Sequence, residues 1–138
     1  MPISDPVARY AAEELFSRFG AAIDEAAFDR MDEMFVDDAR WKLIPPGGGD
    51  VVSIEGRAAI KDFLAGARTP GQTRHVLTNL RLEQGALGSL TAHMYLTFCV
   101  TDDRFAVRGT GTYEAELAGS GSSWRFTALS LALDSSIG

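Results

Sequence analysis

Two residues far apart in the chain carry most of the chemistry it offers. Asp24 closes the first long amphipathic run, and His75 lies in the strand-like stretch Thr73-Arg74-His75-Val76-Leu77-Thr78-Asn79-Leu80. A carboxylate can hold an imidazole in one tautomer and stabilise its protonated form, which makes a neutral histidine a working base. Other catalytic equipment is sparse. With only two histidines and no HxH or HExxH pattern, no zinc or other metal site is expected. The absence of a Gly-x-Ser-x-Gly elbow argues against a serine hydrolase. Gly47, Gly48 and Gly49 lack the strand-before, helix-after setting of a phosphate loop, and no Gly-Lys-Ser/Thr follows, so nucleotide binding is not expected.

The elements that must position the pair follow from periodicity. Asp5 and Pro6 read as an N-cap followed by proline in the first helical turn. From there Ala8, Ala11, Ala12, Leu15, Phe19, Ala22 and Ile23 recur at helical spacing as one apolar stripe. Asp24 lies off the centre of that stripe, where a solvated helix-end acid is the plain alternative to an inward carboxylate. Yet Phe16, Gly20 and Asp24 form an i, i+4, i+8 row along its edge. Glycine inside a helix costs about 1 kcal/mol relative to alanine, so Gly20 is explained if a ligand or another backbone needs the room. The negative end of the helix dipole would raise the proton affinity of Asp24.

A second short helix is expected over Glu25–Phe35, with Phe28, Met31, Met34 and Phe35 inward and Asp37-Asp38 closing it. Arg40–Ile44 and Val51–Ile54 read as strands around a Pro45–Asp50 turn. Arg57–Ala67 reads as a third helix. Four long strands follow at about 73–83, 89–101, 105–117 and 123–133. Helices followed by a run of strands indicate one α+β domain over residues 1–138, with helices packed on one face of an antiparallel sheet.

In the second long strand Ala92, Met94, Leu96, Phe98 and Val100 share the covered face, and His93, Tyr95 and Thr97 the other. Phe105, Val107, Gly109, Gly111 and Tyr113 are assigned to the covered face of the third. Gly109 and Gly111 there would let the sheet bend or leave space for a ligand. In the His75 strand the apolar parity changes between Leu77 and Leu80, which predicts a bulge near Thr78-Asn79.

The totals narrow the function. At 138 residues there is room for a core and one buried cavity. A net charge of −6 with no basic stripe argues against nucleic acid. The acids between Glu13 and Asp38 lack calcium-loop spacing and read as a solvated face. Cys99, the single cysteine, reads as a buried structural thiol. No run of about 18 apolar residues occurs, and no basic-then-apolar leader opens the chain, so a cytoplasmic protein without a membrane partner is expected.

Four segments in order resemble the SnoaL-like group of the NTF2-like superfamily. They are Ala22-Ile23-Asp24; Met34-Phe35-Val36-Asp37-Asp38-Ala39-Arg40-Trp41; Ile54-Glu55-Gly56-Arg57-Ala58-Ala59-Ile60; and Thr73 to Leu80. The resemblance implies a cone: a curved antiparallel or mixed sheet wrapped around N-terminal helices, with an internal pocket. It is nearest the scytalone dehydratase, bile-acid dehydratase and hexachlorocyclohexane dehydrochlorinase branch. There, an aspartate ending the first helix pairs with a strand histidine that removes a proton from carbon. Asp24 and His75 match those positions.

The chain also departs from that pattern. Phe19 replaces the tyrosine of the dehydratases, Ala128 matches the basic residue of the dehydrochlorinase, and Cys99 or a neighbour stands where scytalone dehydratase has a second histidine. The resemblance therefore implies a cofactor-free lyase-type enzyme, a dehydratase or dehydrohalogenase, acting on a small hydrophobic, aromatic or polycyclic substrate. Phe16, Phe19, Gly20, Trp41, Leu96, Phe98, Ala128 and Ser130 would surround that substrate, with Ser130 or Trp41 supplying a hydrogen bond. Two alternatives stay open. One is a non-catalytic binding or subunit-type protein, and the other a polyketide-cyclase-like or ketosteroid-isomerase-like enzyme using Asp24 alone. Similar proteins form homodimers or homotrimers, and the outward residues His93, Tyr95, Thr97, Arg108, Thr110 and Thr112 are the expected interface.

Overall fold

The computed structural model describes residues 5–136. It opens with α1 (Pro6–Asp24), where the Asp5 carboxylate accepts from the Val7 backbone N–H at 3.0 Å and Pro6 occupies the first turn. This cap satisfies one of the free donors at the helix start. The buried side of α1 is the expected stripe together with Phe16 and Gly20.

The helix expected over Glu25–Phe35 is shorter and of another kind. A 3₁₀ segment covers Phe28–Glu33, and Phe35 already begins β1 (Phe35–Ile44). Phe28, Met31, Met34 and Phe35 do turn toward the core, as their spacing required. The chain extends after Met34 because Phe35, Ala39 and Trp41 are all buried on one side of β1. An irregularity between Phe35 and Arg40 accommodates Asp37 and Asp38 as exposed strand residues. Arg57, the first residue of α2 (Arg57–Gly66), fastens this segment, donating to the backbone oxygens of Asp32 at 3.0 Å and Phe35 at 3.1 Å.

The remaining strands are β2 (Val52–Glu55), β3 (Gln72–Gln84), β4 (Leu90–Thr101), β5 (Phe105–Ser120) and β6 (Ser123–Leu133). They form a six-stranded sheet in the order β2-β1-β6-β5-β4-β3. Only β1 and β6 run parallel, so the sheet is mixed. Its inner face packs on α1, and Arg9 of the helix donates to the Leu80 carbonyl of β3 at 3.2 Å.

Three bulges set which side chains face the core. The one expected in β3 lies between Thr78 and Arg81, with Asn79 at φ 60°. It restores Leu80 and Leu82 to the buried face. A second makes Arg108 the extra residue between the Phe98–Gly109 and Cys99–Val107 pairs. It reverses the parity of early β5, leaving Phe105 and Val107 64% and 54% exposed rather than covered. A third makes Thr127 the extra residue between the Leu117–Phe126 and Glu116–Ala128 pairs, so Leu129 and Leu131 face inward with Phe126. Gly111 leaves no gap, because a methyl there would stand 2.7 Å from the Ala132 carbonyl oxygen of β6. Cys99 is buried and free. No helix among the described residues is long and apolar enough to cross a membrane.

Candidate active site

The end of α1 and the start of β3 bring Asp24 and His75 together. The two side chains are 9% and 12% exposed, and His75 Nδ1 lies 2.6 Å from Asp24 Oδ1. The carboxylate also accepts from the His75 backbone N–H at 2.9 Å and from the Thr73 hydroxyl at 2.8 Å. Gln72 adds a bond from its side-chain amide to the Asp24 carbonyl at 3.3 Å. Gly20 faces this junction: a methyl there would meet His75 Cβ at 3.5 Å and the His75 carbonyl oxygen at 3.6 Å. β3 thus packs beside Gly20 through His75 and Leu77 at distances that still leave room for a methyl.

Burial works to raise the Asp24 pKa. The hydrogen bonds from the His75 ring, the His75 backbone and Thr73 outweigh it, holding the carboxyl below its usual value. The helix-end dipole that favours protonation is likewise overridden. An ionised carboxylate only accepts, so the proton of a neutral His75 sits on Nδ1 and the lone pair on Nε2. The ring rests against Phe98, with centroids 5.0 Å apart.

His75 forms part of the wall of an internal cavity of about 180 Å³ between the concave sheet face and α2 with its following turn. Most of the lining is apolar: Ile23, Trp41, Phe63, Leu96, Phe98 and Leu131 are representative. Thr73, Tyr113, Arg68 and Thr69 supply the other polar groups, the last two from the turn after α2. This combination of an apolar hollow and a few polar groups is what small-molecule sites share. A larger groove, walled by Glu14, Arg18, Arg30 and Glu33, lies on the other side of α1 and does not include the pair. Among the described residues no group of side chains is spaced to hold a metal ion.

The residues singled out in the sequence separate into three sets. Trp41, Leu96, Phe98 and His75 line the cavity. Phe16 and Phe19 are fully buried in the aromatic core beside it, and Gly20 packs on β3; none of the three reaches the cavity. Ala128 and Ser130 also stay out of it. They pair with Glu116 and Glu114 on the outer face, where the bulge at Thr127 sends them. Ser130 donates to the Glu114 carbonyl at 3.4 Å rather than toward a ligand.

Sequence reasoning passed over Thr73 and Tyr113. Thr73 had a signal, since it shares a strand face with His75 two positions on. Tyr113 was placed on the covered face, but nothing marked its hydroxyl as lacking a partner.

Comparison with known proteins agrees with this architecture. No curated protein matches the sequence significantly. Solved structures do match in fold. One is an NTF2-like protein with a cystatin-like fold from Novosphingobium aromaticivorans (19% identity, 91% of this chain and 80% of that one, TM-score 0.75). A second, from the same organism, is provisionally named a scytalone dehydratase (17% identity, 92% and 84%, TM-score 0.71). A third, from Catenulispora acidiphila, was solved in complex with S-DNPA (24% identity, 92% and 94%, TM-score 0.74). The fold is the NTF2-like one, α+β with a curved mixed sheet. The profile of the SnoaL-like domain matches residues 7–130, and the chain belongs to that family.

Proposed function

We propose that the chain is a cofactor-independent lyase-type enzyme in which His75, oriented by Asp24, removes a proton from carbon of a small hydrophobic molecule. The observation that carries this reading is the 2.6 Å Nδ1–Oδ1 contact at the wall of an apolar cavity. Fixing the proton on Nδ1 leaves Nε2 as the base, and the carboxylate stabilises the imidazolium that forms. A positioned general base contributes about 10²–10⁴-fold in rate. Elimination of water or halide is the reaction type favoured. The volume of about 180 Å³ exceeds the ~150 Å³ apolar cavity known to take up benzene only slightly. One ring with a short substituent therefore fits inside, and a polycyclic molecule would extend past Arg68 and Thr69.

The two other readings fit less well. A carboxylate already accepting three hydrogen bonds is a weak base, which counts against Asp24 acting alone. A purely structural subunit has no need of an open cavity beside a histidine held by a carboxylate. Exchange of activated C–H hydrogens in D₂O, followed by NMR over a panel of small apolar compounds, tests the assignment. His75→Ala and Asp24→Asn should each abolish exchange and elimination in protein that circular dichroism shows to be folded. Rates like the wild type in either variant overturn it.

We further propose that copies of the chain associate through the outer face of β3, β4 and β5. Val76, Tyr95, Phe105 and Val107 expose 44%, 45%, 64% and 54% of their surface there, and contiguous exposed apolar surface marks interaction sites. Sedimentation velocity should report a dimer or trimer in the wild type and monomer after Tyr95→Glu.

A further inference from the structure

The cavity has one permanently charged side chain in its lining. Arg68 follows α2 at the exposed end of the hollow, with Thr69 next to it. Neither side chain makes a hydrogen bond or ion pair with another described residue. By contrast Arg9, Arg18, Arg30, Arg57 and Arg108 each meet a carboxylate at 2.7–3.7 Å. The plain role for an arginine just past a helix is to answer the last carbonyls and the negative end of the dipole. Here the Ala67 N–H closes α2 onto the Phe63 carbonyl at 3.0 Å, and the Arg68 guanidinium donates to no carbonyl of the helix. The turn itself is pinned. Gly71 sits at φ 96°, where a methyl would stand 2.9 Å from the Thr101 carbonyl oxygen, so the chain is pressed against the end of β4.

The hollow also shows that its occupant carries polar atoms. Trp41, 3% exposed, lines it, and the indole Nε1–H finds no acceptor among the described residues. Native interiors rarely leave a buried donor unpaired, because its desolvation is not recovered. The volume of about 180 Å³ holds one ring, so a short chain on that ring ends beside Arg68 and Thr69. A guanidinium presents two parallel N–H donors that match the two oxygens of a carboxylate, and the Thr69 hydroxyl can add a third. No other lysine or arginine lines the cavity. One cation balances the single charge of a carboxylate and leaves half the charge of a phosphate unmatched. Asp24 does not oppose an anion there, since it is outside the lining and both its oxygens accept from Thr73 and His75.

We propose that Arg68, with Thr69 beside it, is an anion subsite at the mouth of the cavity that selects small cyclic molecules carrying a carboxylate on a short chain. The proposal rests on the cavity being the substrate site, as in the reading above, and is independent of which group is the base. The ring lies among Phe63, Leu96 and Phe98, and the carboxylate stays at the exposed end, away from the reacting atoms. Arg68 thus determines specificity and takes no part in proton transfer. A protein of net charge −6 repels anions at long range. The unpaired guanidinium is a local exception to that field, placed at the entrance of an apolar hollow.

3-Phenylpropionate and 3-phenylpropionamide have nearly the same shape and differ in charge, so they serve as probes, with affinities read by NMR titration. The wild type should bind the acid about three- to tenfold more tightly than the amide. Arg68→Gln should bring that ratio close to one by weakening the acid alone, and because Arg68 is exposed the variant keeps its fold. Thr69→Val should reduce the ratio less. Raising the salt to about 1 M, where screening acts within about 3 Å, should shrink the preference in the wild type and change nothing in Arg68→Gln. His75→Ala should keep the preference, which separates failure of this subsite from failure of the base assignment. A ratio near one in the wild type, an unchanged ratio in Arg68→Gln, or a wild type that binds neither probe overturns the proposal. So does a preference lost in His75→Ala and kept in Arg68→Gln, which would place the anion on the imidazole instead.

Discussion

The inner face of the sheet is divided between a packed aromatic floor and an open half. In the floor Phe16, Phe19, Phe35 and Phe126 meet at centroid distances of 5.1–5.9 Å, mostly edge to face. In the open half Trp41, Phe63, Phe98 and His75 are of similar size, yet they surround about 180 Å³ of space. Trp41 and Tyr113 belong to both, their rings meeting Phe19 of the floor in tilted and edge-to-face contacts while they line the cavity. Residue type therefore does not separate core from site in this chain. The two halves differ in what faces the side chains. α1 lies over the floor, while the end of that helix supplies Asp24 at the edge of the open half.

This contrast predicts that the two halves respond oppositely to substitution. The largest effect should be functional: His75→Ala loses about 10²–10⁴-fold in C–H exchange while its urea midpoint stays within the range of ordinary surface changes. In the floor, Phe126→Ala should cost about 3–5 kcal/mol in urea unfolding; a cost below 1 kcal/mol would mean that the floor is loosely packed. Gly111→Ala comes next, at about 1–3 kcal/mol, because its methyl meets the backbone of β6 at 2.7 Å. The pH dependence is smaller. The hydrogen bonds to the Asp24 carboxyl hold its folded pKa below the ordinary carboxylate value, so the stability it adds is present above the unfolded pKa and lost as pH falls through the folded one. Wild-type protein should therefore lose more stability than Asp24→Asn on acidification below about pH 4. The smallest effect is a gain. At Gly20 a methyl finds only ordinary contacts of 3.5 Å and more, so Gly20→Ala should be neutral or stabilising by up to about 1 kcal/mol.

Much of the fold was legible because two periods run cleanly through it. The 3.6-residue stripe of α1 and the alternation Ala92–Val100 in β4 each identify a buried face without help from the rest of the chain. The parity change after Leu77 gave away the bulge in β3. The bulges at Arg108 and Thr127 left no such trace, because Gly109 and Gly111 carry no side chains to alternate and Ala128 suits either face. That is why Phe105, Val107, Ala128 and Ser130 were assigned inward and lie outward. The 3₁₀ segment at Phe28–Glu33 read as an α-helix because one turn of either places Phe28 and Met31 on the same side.

In the site, Asp24 and His75 were readable as chemistry and as positions in a resembling family. The unpaired indole N–H of buried Trp41 was not, since a missing partner is a property of packing and leaves no pattern in the sequence.

The central claim is that Asp24 fixes the His75 ring with its proton on Nδ1 and Nε2 free as the base. With two histidines in the chain, ¹⁵N NMR of histidine-labelled protein resolves each ring, and His93→Gln assigns the other signal. The account predicts a neutral His75 with a protonated Nδ1 and a pyridine-type Nε2, and a mixture of tautomers once Asp24 is replaced by asparagine. A His75 protonated on Nε2 in the wild type, or a ring indifferent to Asp24→Asn, would contradict it.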